Sequence, residues 1–343
     1  MDSFTAHHLR FTARVKTPIE LDEHKGSAIR GALFHALRRR FCYDREAENC
    51  HGCALSVTCP ICFLMATVEA DGWRGVDVPR PYTIEPPLGS KTCYAPGEEL
   101  HFGLTVFAQA LNLFPYVILA VKELEEAGLG HKTPDDNGRW RRGTIALEEI
   151  VAFNPLSGES QRVLSERDSI VQVPDVPVTH AQVMAAVHRA PSDHLAVTFL
   201  TPTRLIDEGR LVHRPHFRVL VQRLLERLSA LTAQFSDTPL LLDFKELVLQ
   251  AEAVQLAEDE TEWVELDSYS TRKRGRTPIS GFVGQAVFEG DLEAFLPWLV
   301  WGQFVHVGKN AVKGDGWFDM LLPRPTGPAS RLWFQANDPM RGY

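Results

Sequence analysis

Two distant segments of this chain carry the same signature. "HLRFTARV" (8–15) sets Leu9, Phe11, Ala13 and Val15 against polar partners, the two-residue period of a half-buried strand. "HLAVTFLTPTRL" (194–205) repeats that period and ends at Pro202. After the first comes "GSAIRGALFHALRRRF" (26–41), with helical spacing, then a second alternation at 98–108. A second helix follows over 111–128 despite Pro115, with Gly128 placed to stop it, and a strand over 142–153. After the second comes a helix over 214–231 that lines up Leu220, Leu224, Leu228 and Leu231. Strand periods follow around 250–268 and 279–288, then a short helix over 291–302 with Asp291 as its N-cap. "QFVHVG" (303–308) reads as the last strand.

Both halves therefore spell β-α-β-β-α-β. The expected fold class is α+β, with two tandem ferredoxin-like (RRM-like) βαββαβ domains. No repeat of 20–50 residues is visible, so the duplication is structural rather than written in residue identities. The stretch 155–192, richer in Ser, Pro and charge, carries the boundary. The expectation is an N-terminal domain over 1–160 with a Cys-rich insertion at 42–97. A C-terminal domain over 161–343 carries a glycine-rich loop at 308–316.

Composition matters here for what it excludes. The longest apolar stretches, 111–121 and 294–307, fall short of the about 20 residues a membrane helix needs. The N-terminus lacks a basic region followed by an apolar one, so no export signal is visible and a cytoplasmic location is expected. There cysteines stay reduced and available as ligands. A net charge of −8 argues against non-specific nucleic-acid binding but leaves room for local basic surfaces. Two such surfaces are "RRR" (38–40) and "RKRGR" (272–276).

The cysteines are the most specific chemical signal. Cys42, Cys50, Cys53, Cys59 and Cys62 crowd one segment, and only Cys93 stands apart. Two C-x-x-C pairs aim thiolates at one cation. The expectation is a structural metal, zinc favoured, with an iron–sulfur cluster as competitor because the x5 gap is short for a zinc ribbon. Unliganded buried cysteines are the other reading. His51, inside the cluster, is a candidate substitute ligand or a plain surface residue.

On the helix 26–41, Ile29, Leu33, Leu37 and Phe41 share one side at 100° per residue. His35 falls opposite, near Gly31, Ala28, Ala32, Arg38 and Arg39. An imidazole with an ordinary pKa of about 6.5 serves as general acid or base near neutral pH. An ordinary exposed helix histidine is the bland alternative. The stretch "VHVGKNAVKGDGWF" (305–318) has Gly308, Gly314 and Gly316 with Lys309 and Lys313. It matches neither a P-loop nor a dinucleotide fingerprint, so no nucleotide cofactor is expected. The glycines would let an RNA backbone come close to the main chain, or they form a plain turn.

"GFVGQAVFEGDLEAFLPWLVWGQFVHVGKNAVKGDGWF" (281–318) resembles the C-terminal signature of the CRISPR repeat-RNA-processing endoribonucleases of the RAMP superfamily. "FLTPTRL" (199–205), "IRGALFHALRR" (29–39) and the C-x7-C-x2-C-x5-C pattern match in the same order. Cys62 is additional to the four shared cysteines. The resemblance implies two ferredoxin-like domains and binding of CRISPR repeat RNA. It implies metal-independent attack of a 2′-hydroxyl on the adjacent phosphate, leaving 2′,3′-cyclic phosphate and 5′-hydroxyl ends. It points to His35 as base or acid, Arg38 or Arg39 stabilising charge, and His24 or Lys25 as second proton-transfer group. The RNA-binding set would be Arg30, Arg272, Lys273, Arg274, Arg276, Gly308, Lys309, Lys313, Gly314 and Gly316. Partners would be the repeat RNA and mature guide RNA, with CRISPR effector subunits as further candidates. Asp315 departs from the family pattern and would repel phosphate, which keeps open a repeat-RNA binder that does not cut.

Overall fold

The computed structural model describes residues 1–45, 50, 53–56, 58–66, 79–135, 137–168, 170–270 and 275–320. Strand β1 (Ala6–Val15) is the centre of the first sheet. Leu9, Phe11, Ala13 and Val15 point into one core, as the alternation requires. Helix α1 (Lys25–Phe41) follows, then β2 (Tyr82–Glu85), β3 (Glu99–Phe107), α2 (Phe114–Ala127) and β4 (Ile145–Phe153). A fifth strand, β5 (Ser160–Ser165), pairs with β4 at the edge, so the first sheet runs past the expected boundary at 160. The spatial order is β2-β3-β1-β4-β5, and every pairing is antiparallel. Its first four strands have the ferredoxin-like order. Phe11 stacks on Phe102 of β3 at 4.9 Å and 7°, beneath both helices. Each fully buried ring of this kind is worth about 1.5–3 kcal/mol over leaving it in water.

The second half repeats the plan with β6 (His194–Thr203), α3 (Phe217–Phe235), β7 (Gln255–Val264) and β8 (Gly281–Glu289). Helix α4 (Leu296–Val305) and β9 (Phe318–Met320) complete it. The sheet order, β7-β8-β6-β9, is again ferredoxin-like. Leu220, Leu224, Leu228 and Leu231 are all fully buried. Phe4, Phe107 and Phe153 from the first half sink into the core of the second, with Phe4 edge-on to Trp301 at 5.2 Å. The two halves therefore share an apolar seam. Among the described residues no helix is long and apolar enough to cross a membrane.

Three local expectations need correction. Helix α2 starts at Phe114, not 111, after a 3-10 stretch at Ala108–Leu113. Pro115 thus sits in the first turn, where its missing N–H loses nothing. Asp291 does not cap α4, which begins at Leu296 behind Phe295. "QFVHVG" is not the last strand: Gln303, Phe304 and Val305 finish α4, and β9 supplies the closing strand. A run buried on every side shows no alternation, so its period could not separate helix from strand.

Candidate functional site

Helix α1 begins where the two halves meet. His24 is its N-cap: Nδ1 accepts from the Ser27 backbone N–H at 3.3 Å and lies 2.8 Å from the Ser27 hydroxyl. Its Nε2 meets the Asp315 carboxylate in a buried pair. The Ser27 hydroxyl in turn lies 2.9 Å from that of Ser268 in the second half. A hydrogen-bonded chain, Ser268–Ser27–His24–Asp315, thereby bolts the start of α1 to the glycine-rich loop. Burial pushes the Asp315 carboxyl above its ordinary value, opposed by His24. Lys25 is buried too, its ammonium donating to the Gly89 carbonyl at 2.5 Å, and desolvation lowers its pKa.

The glycines have a use that bare spacing did not reveal. Gly308, Gly314 and Gly316 all have positive φ, and Gly314 and Gly316 are buried. A Cβ at Gly316 would lie 1.8 Å from the Val307 carbonyl oxygen, and one at Gly308 2.4 Å from that of Arg204. One at Gly314 would meet the Pro86 ring at 2.6 Å. Thr201 donates to the Gly314 carbonyl at 2.7 Å, and Gly316 N–H to the Pro202 carbonyl at 3.1 Å. The "TPTR" segment therefore clasps the loop, and the glycines admit protein backbone where the spacing had suggested RNA backbone. Asp315 turns inward and is fully buried. The expected repulsion of phosphate does not arise from it. Lys309 stays exposed, while Lys313 is half-buried with its pKa lowered, chiefly by desolvation.

His35 lies eleven residues along α1 from His24, about 16 Å at 1.5 Å per residue. It is exposed, on the side away from the Ile29–Leu33–Leu37 stripe. His24 and Lys25 therefore do not join it at one scissile linkage. What surrounds His35 is cationic. Desolvation first, then the Arg142, Arg38 and Arg30 guanidiniums, hold its pKa below the ordinary 6.5. A neutral imidazole beside guanidiniums can take a proton from a hydroxyl while the cations face developing negative charge.

The remaining expected residues divide clearly. Arg38 donates to the Arg45 carbonyl at 2.8 Å and stays near His35. Arg39 does not serve the site: it pairs with Glu123 of α2, which also holds Arg40 at 3.2 Å, and so braces helix on helix. Arg30 lies over the Phe34 ring at 5.3 Å and reaches the Met65 carbonyl, where Arg80 also donates at 2.6 Å. Arg276 is exposed on the ribbon formed by Asp267–Ser270 and Gly275–Pro278, while Arg272, Lys273 and Arg274 lie outside the described residues. Arg142 was missed. It sits at the end of "RWRR" (139–142), a basic-aromatic run that reads from sequence only as the approach to a strand.

Five cysteines follow α1 within one segment, a donor type that suits zinc. The Cys50 and Cys62 thiols hydrogen-bond, and Cys59, Cys42 and Cys53 act electrostatically on Cys50. Burial raises the pKa of both Cys50 and Cys62. Among the described residues, no group of three or more His, Cys, Asp or Glu side chains stands in metal-holding geometry. His51 lies outside the described residues, and Cys93 is exposed.

Two family models match the chain. The AF_1859 N-terminal domain covers residues 4–176, and CRISPR-associated endoribonuclease Cas6 covers 197–318. No curated protein matches in sequence. Among solved structures, a partial Cas6–RT–Cas1–Cas2 complex superposes with TM-score 0.58 at 14% identity, over 94% of this chain. This chain spans only 47% of that one. A Cas6 product complex gives TM-score 0.52 at 16% identity, over 92% of this chain and 99% of that one. Thermus thermophilus Cas6 gives 0.51 at 15% identity, over 93% and 99%. At such identities the superpositions speak for the fold, and the matched family models speak for descent. The AF_1859 N-terminal domain model spans half of the chain, so the chain belongs to that family, and its second half matches the model of the CRISPR-associated endoribonuclease Cas6.

Proposed function

We propose that this protein binds the repeat of a precursor CRISPR RNA and cuts it at a linkage laid against His35. The observation that carries the reading is His35 itself, exposed on α1 within electrostatic reach of Arg30, Arg38 and Arg142, with its pKa held low by desolvation and by those cations. Neutral at physiological pH, the imidazole takes the proton of the 2′-hydroxyl as that oxygen attacks the adjacent phosphorus. The bond to the 5′-oxygen breaks, giving a 2′,3′-cyclic phosphate and, once protonated, a 5′-hydroxyl. The guanidiniums stabilise the extra negative charge on the phosphorane-like transition state. No metal takes part in this step. The burial of Asp315 supports cleavage over the non-cutting binder, since the carboxylate that motivated the second reading faces His24.

The Cys cluster is, on this reading, a brace. Cys42, Cys50, Cys53, Cys59 and Cys62 would hold zinc, or failing that an iron–sulfur cluster, and the support is their spacing in the sequence and the contact between the Cys50 and Cys62 thiols. Thiolate ligation fixes the chain after α1 without an open coordination position for chemistry. Repeat RNA is the substrate, and the similarity to Cas6–RT–Cas1–Cas2 assemblies makes other CRISPR proteins the natural class of partner.

The test is incubation with the cognate repeat RNA in EDTA, with mapping of both product ends. Cleavage with cyclic-phosphate ends, lost in His35→Ala while binding survives, is the expected result. Undiminished cleavage by that variant removes His35 from the mechanism.

A further inference from the structure

The residue that sequence reading missed leads to an element no assignment has touched. Leu129–Pro134 and Trp140–Gly143 form an antiparallel hairpin inserted between α2 and β4, packed beside α1. Its root is clamped. A Cβ at Gly143 would lie 2.1 Å from the Pro18 carbonyl oxygen, and one at Gly130 2.2 Å from that of Glu20. Arg142 donates to the Gly130 carbonyl and crosses the two strands. The outer part is open to solvent: Lys132, Arg139, Trp140, Arg141 and Arg142 are all exposed, Trp140 by 68%.

Register sorts these side chains. Lys132 faces Arg142 and Pro134 faces Trp140, so Lys132, Trp140 and Arg142 share one face. Arg141 points to the other face, where Asp135 pairs with it at 3.3 Å. Among the described residues no carboxylate pairs with Lys132 or Arg142. Two cations stand directly opposite each other, an arrangement that opposes hairpin formation, and an indole lies beside them in water. The Arg142 bond to Gly130 ties the strands, but nothing in the fold accounts for Lys132 or for the indole. The hairpin's first strand packs on α1, and Arg142 acts electrostatically on His35 of that helix. Trp140 is two residues further out, about 7 Å along the strand.

We propose that this face is a strip for single-stranded RNA flanking the scissile linkage, with Trp140 stacking on a base and Lys132 and Arg142 holding backbone phosphates. An aromatic platform beside cations is what an unpaired, sequence-tolerant RNA segment needs. The inference rests on the reading of His35 as the cleavage residue, and it assigns the path by which RNA reaches it.

The full-length protein with Trp140→Ala, Trp140→Phe or Lys132→Ala, each checked for unchanged thermal unfolding, is titrated with repeat RNA over a range of salt. Trp140→Ala is expected to weaken binding by roughly 5- to 150-fold, the scale of one lost stacked base. Trp140→Phe should keep most of the affinity yet lose most of the RNA-induced quenching of tryptophan emission. Lys132→Ala should flatten the logarithmic salt slope by about 0.7, one phosphate contact. Trp140→Ala binding within twofold of wild type, with quenching retained in Trp140→Phe, overturns the strip while leaving cleavage at His35 standing. If cleavage survives His35→Ala but Trp140→Ala loses affinity, the strip stands and the catalytic reading falls. Absence of repeat-RNA binding by the wild type overturns both.

Discussion

Helix α1 contains two glycines, and the structure demands opposite responses from them. Replacing an interior helix glycine by alanine ordinarily stabilises by about 0.5–1 kcal/mol, because the unfolded chain loses freedom. At Gly31 nothing lies within 4 Å of an added Cβ, so Gly31→Ala should show that gain. At Gly26 the added carbon would sit 1.7 Å from the Lys313 carbonyl oxygen and 2.8 Å from its carbonyl carbon. Both are backbone atoms of a loop that Thr201 and Pro202 hold from behind. Overpacking of this kind costs about 1–3 kcal/mol. If the loop yields instead, the His24–Asp315 pair opens, and breaking a buried pair costs about 3–5 kcal/mol. Net of the helix gain, Gly26→Ala should destabilise by about 1–4 kcal/mol. Urea denaturation of both variants, read as midpoint shifts at constant slope, gives the comparison directly. Gly26→Ala as stable as Gly31→Ala would show that α1 and the glycine-rich loop do not abut, and the account of the seam would fail.

Other consequences follow from the same geometry. Because the guanidiniums help hold His35 low, Arg142→Gln should raise its pKa toward 6.5, moving the acid limb of the pH–rate profile upward. An unmoved limb would separate Arg142 from the imidazole. The sign for stability is the same: a depressed histidine pKa favours folding above the unfolded value, and that contribution fades as pH falls through the folded one. Asp315→Ala leaves the His24 ring buried without its partner and should cost about 3–5 kcal/mol in urea denaturation. Asp315→Asn, which keeps the shape and a hydrogen bond, should cost about 1–3. A loss below 1 kcal/mol for Asp315→Ala would mean the pair bears no strain across the halves. Purified protein should carry one zinc per chain by elemental analysis, and Cys50→Ser with Cys53→Ser should lose it together with thermal stability. Metal-free protein of unchanged stability would leave the thiols unliganded.

The order of periods in the sequence determined the two βαββαβ units, because strand and helix differ in spacing wherever one face is buried and the other is not. Leu9 to Val15 and Leu220 to Leu231 declare their cores in one dimension. His35 was legible for the same reason, as the polar residue opposite an apolar stripe. Tertiary structure alone decided what the charged and small residues do. That Asp315 faces His24 rather than RNA depends on residues 291 positions apart meeting at a seam. So does the diversion of Arg39 to Glu123, and the packing of Gly314 and Gly316 against protein backbone. Arg142 comes within electrostatic reach of His35 only because a hairpin folds back along α1. Periodicity reports which way a side chain points from its own element; which partner waits there is a property of how the elements pack.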